Sequence, residues 1–134
     1  MYEEWESEQY ENEQLFDARY TLYTVEDLLG SLPIGEADLK FHPGVIKVYR
    51  EARRMLTKQE KDWREVVLKH VQGDWGAVTP TTRCDNEAAV FSGTGEIISN
   101  HRLQVQVDKS NVEEELTVIT HLDGGFTQVV TPWW

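Results

Sequence analysis

The apolar period changes once along this chain, at Gly93–Gly95, and that change limits the folds open to it. Before it, apolar residues recur at the three- and four-residue spacing of a helix face. Beyond it, Ile97, Ser99, His101, Leu103, Val105 and Val107 alternate with Ile98, Asn100, Arg102, Gln104 and Gln106, as in a strand with one wet face. A chain of 134 residues is the size of one domain with a single core. The expected fold is therefore α+β, a helical N-terminal part packed on a sheet formed by the second half.

Within the first half, Arg19–Tyr23 is β-prone and either pairs with a sheet edge or leads into a helix. Thr24-x-x-Asp27 opens a short helix from Val25 to about Ser31, and Pro33, Gly35 and Pro43 then punctuate a loop. From Pro43, the residues Val45, Val48, Tyr49, Ala52, Met55 and Leu56 read as one buried helix face. Thr57 and Glu60 form a capping pattern, and Trp63, Val66, Val67, His70 and Val71 continue the face, as one kinked helix or two. Gly73 closes it, and a further helix runs from Thr79-Pro80 to Gly93.

In the second half, the strand ending at Val107 is followed by a turn over Asp108–Glu114 and a strand from Leu116 to Leu122. Asp123-Gly124-Gly125 then connects to a strand from Phe126 to Thr131. These make a C-terminal three-stranded antiparallel β-meander. The domain plan is an acidic, flexible arm over residues 1–17 and a single α+β domain over residues 18–134.

Charge excludes some functions. Thirteen bases against 24 acids give a net charge of -11, which repels nucleic acid and anionic membranes and favours a protein partner with a basic surface. No apolar run approaches the roughly 20 residues that span a bilayer, and the N-terminus lacks a signal-peptide pattern, so a cytoplasmic protein is expected. The lone Cys84 allows neither an intramolecular disulfide nor a cysteine-based zinc site. Glu3, Glu4, Glu6, Glu8, Glu11, Glu13 and Asp17 crowd into the first 17 residues without a base among them. That run reads either as a solvated tail or as a partner-binding arm. Tyr2, Trp5 and Tyr10 favour the arm, because large aromatics anchor interfaces.

Chemistry concentrates in His70-Val71-Gln72-Gly73-Asp74-Trp75-Gly76. His70 and Asp74 are four residues apart across a helix end, close enough for Asp74 to orient an imidazole for acid–base work. The competing reading has Asp74 capping backbone amides and His70 satisfied against Trp75. Ser99, His101, Thr120, His121, Asp123 and Thr127 are further candidates, with cross-strand pairing on a half-exposed sheet as their structural alternative. His70, Asp74, His101, His121 and Asp123 lack the close spacing of a preorganised metal site, so no metal and no cofactor are expected. An indole directly after a helix stop is placed to bridge the helices and the sheet, so Trp75 is expected to be buried.

The ordered set His70-x-x-Gly73-Asp74-Trp75-Gly76, Asn86-x-x-Ala89, Gly93, Ile98-Ser99, Ile119-Thr120-x-x-Asp123 and Thr127 ahead of Pro132 resembles a family of small uncharacterised proteins of plasmids, integrative elements and phages. The likeness covers roughly Val66 to Pro132. Ala77, Thr82, Glu96 and Gly124 depart from the charges usual in that family. The resemblance implies a protein of a mobile element, and the acidic charge adds an accessory role that is non-catalytic and acts by protein contact, with inhibition of a host nucleic-acid-targeting defence as one such role. The alternative is a small hydrolase or a nucleotide-processing or nucleotide-binding protein using His70 and Asp74, with His121 and Asp123 as further catalytic candidates. The sequence leaves the oligomeric state open.

Overall fold

The computed structural model of the protein describes residues 19–107 and 110–132, with side chains over 19–103 and 114–132. The expected arm over residues 1–17, and with it Tyr2, Trp5, Tyr10 and their acidic neighbours, lies outside the described residues. The elements run β1 (Tyr20–Tyr23), α1 (Val25–Leu29), a single 3-10 turn (Glu36–Asp38), β2 (Val45–Tyr49), α2 (Arg50–Lys58), α3 (Trp63–Val71), α4 (Pro80–Ser92), β3 (Glu96–Val107), β4 (Ser110–His121) and β5 (Phe126–Val130).

The five strands form one sheet in the order β1-β2-β5-β4-β3, with β2 parallel to β5 and all other neighbours antiparallel. This corrects the expectation of a three-stranded antiparallel meander: the fold is α+β on a five-stranded mixed sheet. The error sits at Val45–Tyr49, read as the first turns of a helix. Val45, Val48 and Tyr49 are spaced as on a helix face, but the β-branched and aromatic run V-I-K-V-Y also suits a strand. Its long-range partner decides between the two. Gly44, at φ 68, lies so close to the β4–β5 turn that an added Cβ would stand 2.1 Å from the Gly125 carbonyl oxygen. Val45 N–H donates to that same oxygen at 3.2 Å, which sets β2 alongside β5.

The helix ends follow local chemistry. At α1 the Thr24 hydroxyl accepts from Asp27 N–H and the Asp27 carboxylate accepts from Thr24 N–H, a complete capping box. α2 and α3 are separate helices, and the joint differs from the expected Thr57 cap. Glu60 turns the chain with a φ of 55, and the Asp62 carboxylate accepts from Arg64 N–H to open α3. α4 starts as expected, with Thr79 as cap and Pro80 first, and it stops at left-handed Gly93. The hairpin is longer than expected, since β4 begins at Ser110 rather than after Glu114.

Alternation sorts the sheet into two faces. Ile46, Val48, Ile97, Leu116, Val118 and Val129 point to one side, where they join Leu28, Ala52, Met55, Val67 and Val71 of the helices in the core. On the opposite face, which no described helix covers, Ile119 and Val130 are buried. There Tyr20, Tyr49 and Phe126 are half-buried, while Leu22 and Val45 are exposed. Among the described residues no helix is long and apolar enough to cross a membrane.

Gly44→Ala should lower stability by about 3 kcal/mol, because the new methyl meets backbone that cannot swing away and the left-handed φ disfavours alanine. The readout is a urea or thermal melt. A Tm within about 2 °C of the parent would show that the β2–β5 junction does not depend on this approach.

Candidate functional site

The His70–Gly76 stretch carries the chain from the last turn of α3 to the outer edge of the sheet. Gly73 leaves the helix with a φ of 89, and Trp75 is buried, as expected, with its indole N–H donating to the His70 carbonyl at 3.2 Å. The following backbone then pairs with β3: Asn100 N–H donates to Trp75 O at 3.0 Å and Ala77 N–H to Asn100 O at 2.8 Å. Gly76 makes this approach possible, since a Cβ there would stand 2.1 Å from the Asn100 oxygen. One step along the same edge, the Asn86 side chain acts as a substitute peptide. Its amide donates to Ile98 O at 2.7 Å and its oxygen accepts from Ile98 N–H at 3.0 Å. The edge strand β3 is thus capped at Ile98 and Asn100 from within the chain.

Beneath this edge runs a chain of buried polar groups. His70 Nδ1 lies 2.7 Å from Ser99 Oγ and His70 Nε2 lies 2.9 Å from Thr120 Oγ1. Ser99 Oγ also meets His101 Nε2 at 2.9 Å, and Thr120 Oγ1 meets Thr127 Oγ1 at 2.7 Å. Thr127 then donates to the Pro43 carbonyl at 2.7 Å. A carbonyl only accepts, so the Thr127 proton is committed and Thr120 must donate to Thr127. With the Thr120 proton used, His70 donates from Nε2. Its Nδ1, deprotonated in the neutral ring, accepts from Ser99, and Ser99 accepts in turn from His101 Nε2–H. Five hydrogen bonds therefore point one way, from β3 through α3 to β4, β5 and the loop before β2.

The rings are held neutral. Burial pushes the His70 pKa down to about 3, with the neighbouring His101 adding to the effect. Burial likewise lowers His101 to about 4, against the pull of the Asp74 carboxylate and with a further push from Lys69. The Phe41 ring stands edge-on to His70 at 5.3 Å and closes the apolar side of its niche.

His70, Ser99, Thr120 and Thr127 are thus brought together, and they are fully buried rather than half-exposed. Asp74 is not part of the group. It is exposed, and both nitrogens of His70 are bonded elsewhere. His121 projects from the other face of β4, where it stacks on Phe126 and meets Gln128 at 2.8 Å and Glu96 at 3.1 Å. The Asp123 carboxylate accepts from Gly95 N–H at 3.1 Å, across the start of the β3–β4 pair. Among the described residues no three His, Cys, Asp or Glu side chains gather as a metal ion would need. Sequence reasoning missed Pro43 and Phe41 as members of the niche. The available signal was polar Ser99, Thr120 and Thr127 standing in the apolar phase of their strands.

Because both rings are neutral in the fold and titrate near pH 6.5 when unfolded, the unfolded chain takes up more protons below pH 6.5. Their stabilisation is complete above that pH and is lost as pH falls toward about 4 and 3. At pH 4.5 the loss is roughly 3 kcal/mol for each ring. Tm measured from pH 7.5 down to pH 4.5 should fall steadily below 6.5, whereas a flat profile would rule out neutral buried rings. Thr127→Val, nearly isosteric, strips Pro43 O and the Thr120 hydroxyl of their partner and should cost about 2 kcal/mol in a chemical-denaturation midpoint. An unchanged midpoint would show that the chain of bonds is not stabilising.

No protein-family model, curated protein or solved structure matches the chain.

Proposed function

We propose that this is a non-catalytic protein that acts by contact with a protein partner of basic surface. The observation that carries the reading is the state of His70: the residue best suited to chemistry is fully buried, and both its nitrogens face Ser99 and Thr120 rather than a substrate. A hydrolase working through His70 and Asp74 needs a ring nitrogen open to a reacting group.

Contact is better served on the sheet face away from the helices. Leu22 is 57% exposed and Val45 is 45% exposed, and they sit among Tyr20, Tyr49 and Phe126. Lys47 lies over the Tyr20 and Phe126 rings at 5.1 and 4.3 Å. Aromatic and aliphatic side chains around one cation make the composition of an interface core. The acidic run of residues 3–17 leads into β1 at the border of this patch, and a net charge of -11 favours a basic partner. A nucleic-acid-binding protein, whose channel is basic, is the partner class that suits this charge.

The test is a comparison of the protein with a Leu22→Asp/Val45→Asp variant against the partner captured from its native host. The variant should keep its Tm and bind at least about 30-fold more weakly, as loss of an interface centre does. Duplex DNA should compete with the intact protein for the partner. Equal binding by the variant, or a partner indifferent to DNA and to salt, overturns the reading.

A further inference from the structure

The outward side of α2 carries a charge opposite to that of the chain as a whole. Its inward face buries Ala52, Met55 and Leu56, and the period of the helix then gathers Arg50, Arg53, Arg54, Thr57 and Lys58 on the exposed side. These five residues line a shallow groove of about 680 Å³. Of the four cations, only Arg54 has an acidic partner among the described residues, Glu51 at 2.9 Å, and that ion pair is largely exposed on both sides. Four cations against one acid leave the groove at +3, in a chain of net -11.

This charge works against the helix that carries it. Arg50 and Arg54, and again Arg54 and Lys58, are four residues apart and repel. The three arginines crowd the first half of α2, at the positive end of its dipole, and Tyr49 at the N-cap offers the first turn no side-chain acceptor. A bound anion relieves the repulsion and complements the dipole. Arginine narrows the choice of anion, because a guanidinium presents parallel N–H donors that match two oxygens of one phosphoryl group. Lys58 and Thr57 add a point charge and a hydroxyl one turn further on. Two phosphoryl groups carry roughly -3 to -4 near neutral pH, which complements the groove. A long nucleic acid fits worse, since charge that extends past the groove is repelled by a chain of net -11. An acidic protein fits worse as well. A track about 12 Å long is a small part of the roughly 800 Å² that each side of a stable protein interface covers.

We propose that this groove is a binding site for a small ligand carrying a diphosphate, gripped by Arg50, Arg53 and Arg54 with Lys58 and Thr57 at its far end. The groove lies on the helical side of the sheet, away from the face assigned to the protein partner, so it stands or falls independently of that reading.

The test uses the full chain, with inorganic pyrophosphate and ADP as probes. At about pH 7.5 and about 50 mM salt the phosphoryl groups are charged and the screening length exceeds about 10 Å. Calorimetry should then show one saturable site for both probes, at least about tenfold tighter than for orthophosphate. NMR amide shifts on titration should centre on Arg50–Lys58. An Arg50→Gln/Arg53→Gln/Lys58→Gln variant, altered only at exposed positions, should keep a cooperative melt and bind both probes at least about tenfold more weakly. Equal affinity for the two probes identifies the phosphoryl groups as all that is recognised, and tighter binding of ADP identifies a nucleotide; either result supports the site. No saturation below about 1 mM, shifts centred on other residues, or equal binding by the variant overturns the proposal. Saturation by a polyglutamate peptide but not by pyrophosphate also overturns it, because the occupant would then be an acidic protein segment.

Discussion

The Pro43 carbonyl has no proton to give, and the order of the buried interior follows from that. Because it can only accept, Thr127, Thr120, His70, Ser99 and His101 each have one allowed proton position, and the imidazole between α3 and the sheet has one allowed tautomer. The groups come from β3, α3, β4, β5 and the loop before β2. Removing any of them leaves a donor or acceptor stranded in an apolar setting, which costs more than the bond contributes when made. The helix is thereby locked to one register on the sheet, where apolar packing alone would accept several.

A second constraint is the bare edge of β3. A peptide edge needs partners, and Trp75, Ala77 and Asn86 provide them without adding a sixth strand. Gly76 is glycine because its Cα must lie against the Asn100 oxygen, and Gly73 because the chain must leave α3 in a left-handed turn. The densest cluster of chemically able residues in the sequence is thus joinery between layers. Among the described residues, Leu22 and Val45 on the aromatic sheet face and the arginines of α2 stay open to solvent.

The sequence was most legible where interactions are local. The Thr24 and Thr79 caps, the Gly73 and Gly93 stops and the alternation of β3 depend on neighbours within a few residues, and each is found in place. It was least legible at Val45–Tyr49. Apolar spacing there fits either a helix or a strand, and the deciding partner, Phe126–Val129, is 81 residues away at Val45↔Phe126. The site shows the same division. His70, Ser99, Thr120 and Thr127 stood out as polar residues in unusual company, but their mutual bonding depends on strand register that no local pattern carries.

The strand order has a consequence for how the chain reaches this state. β5 makes two of the four pairings in the sheet: β1–β2 can pair early and β3–β4 is a hairpin, but the two halves meet only across Phe126–Val130. A nascent chain emerging from the ribosome can therefore assemble both halves and still lack a sheet, with the inner edges of β2 and β4 unpaired and their apolar faces open to water. Cooperative folding waits for the last strand. Until then the chain's unpaired strand edges and apolar faces are open to aggregation, and closure by β5 is the step at which misassembly competes.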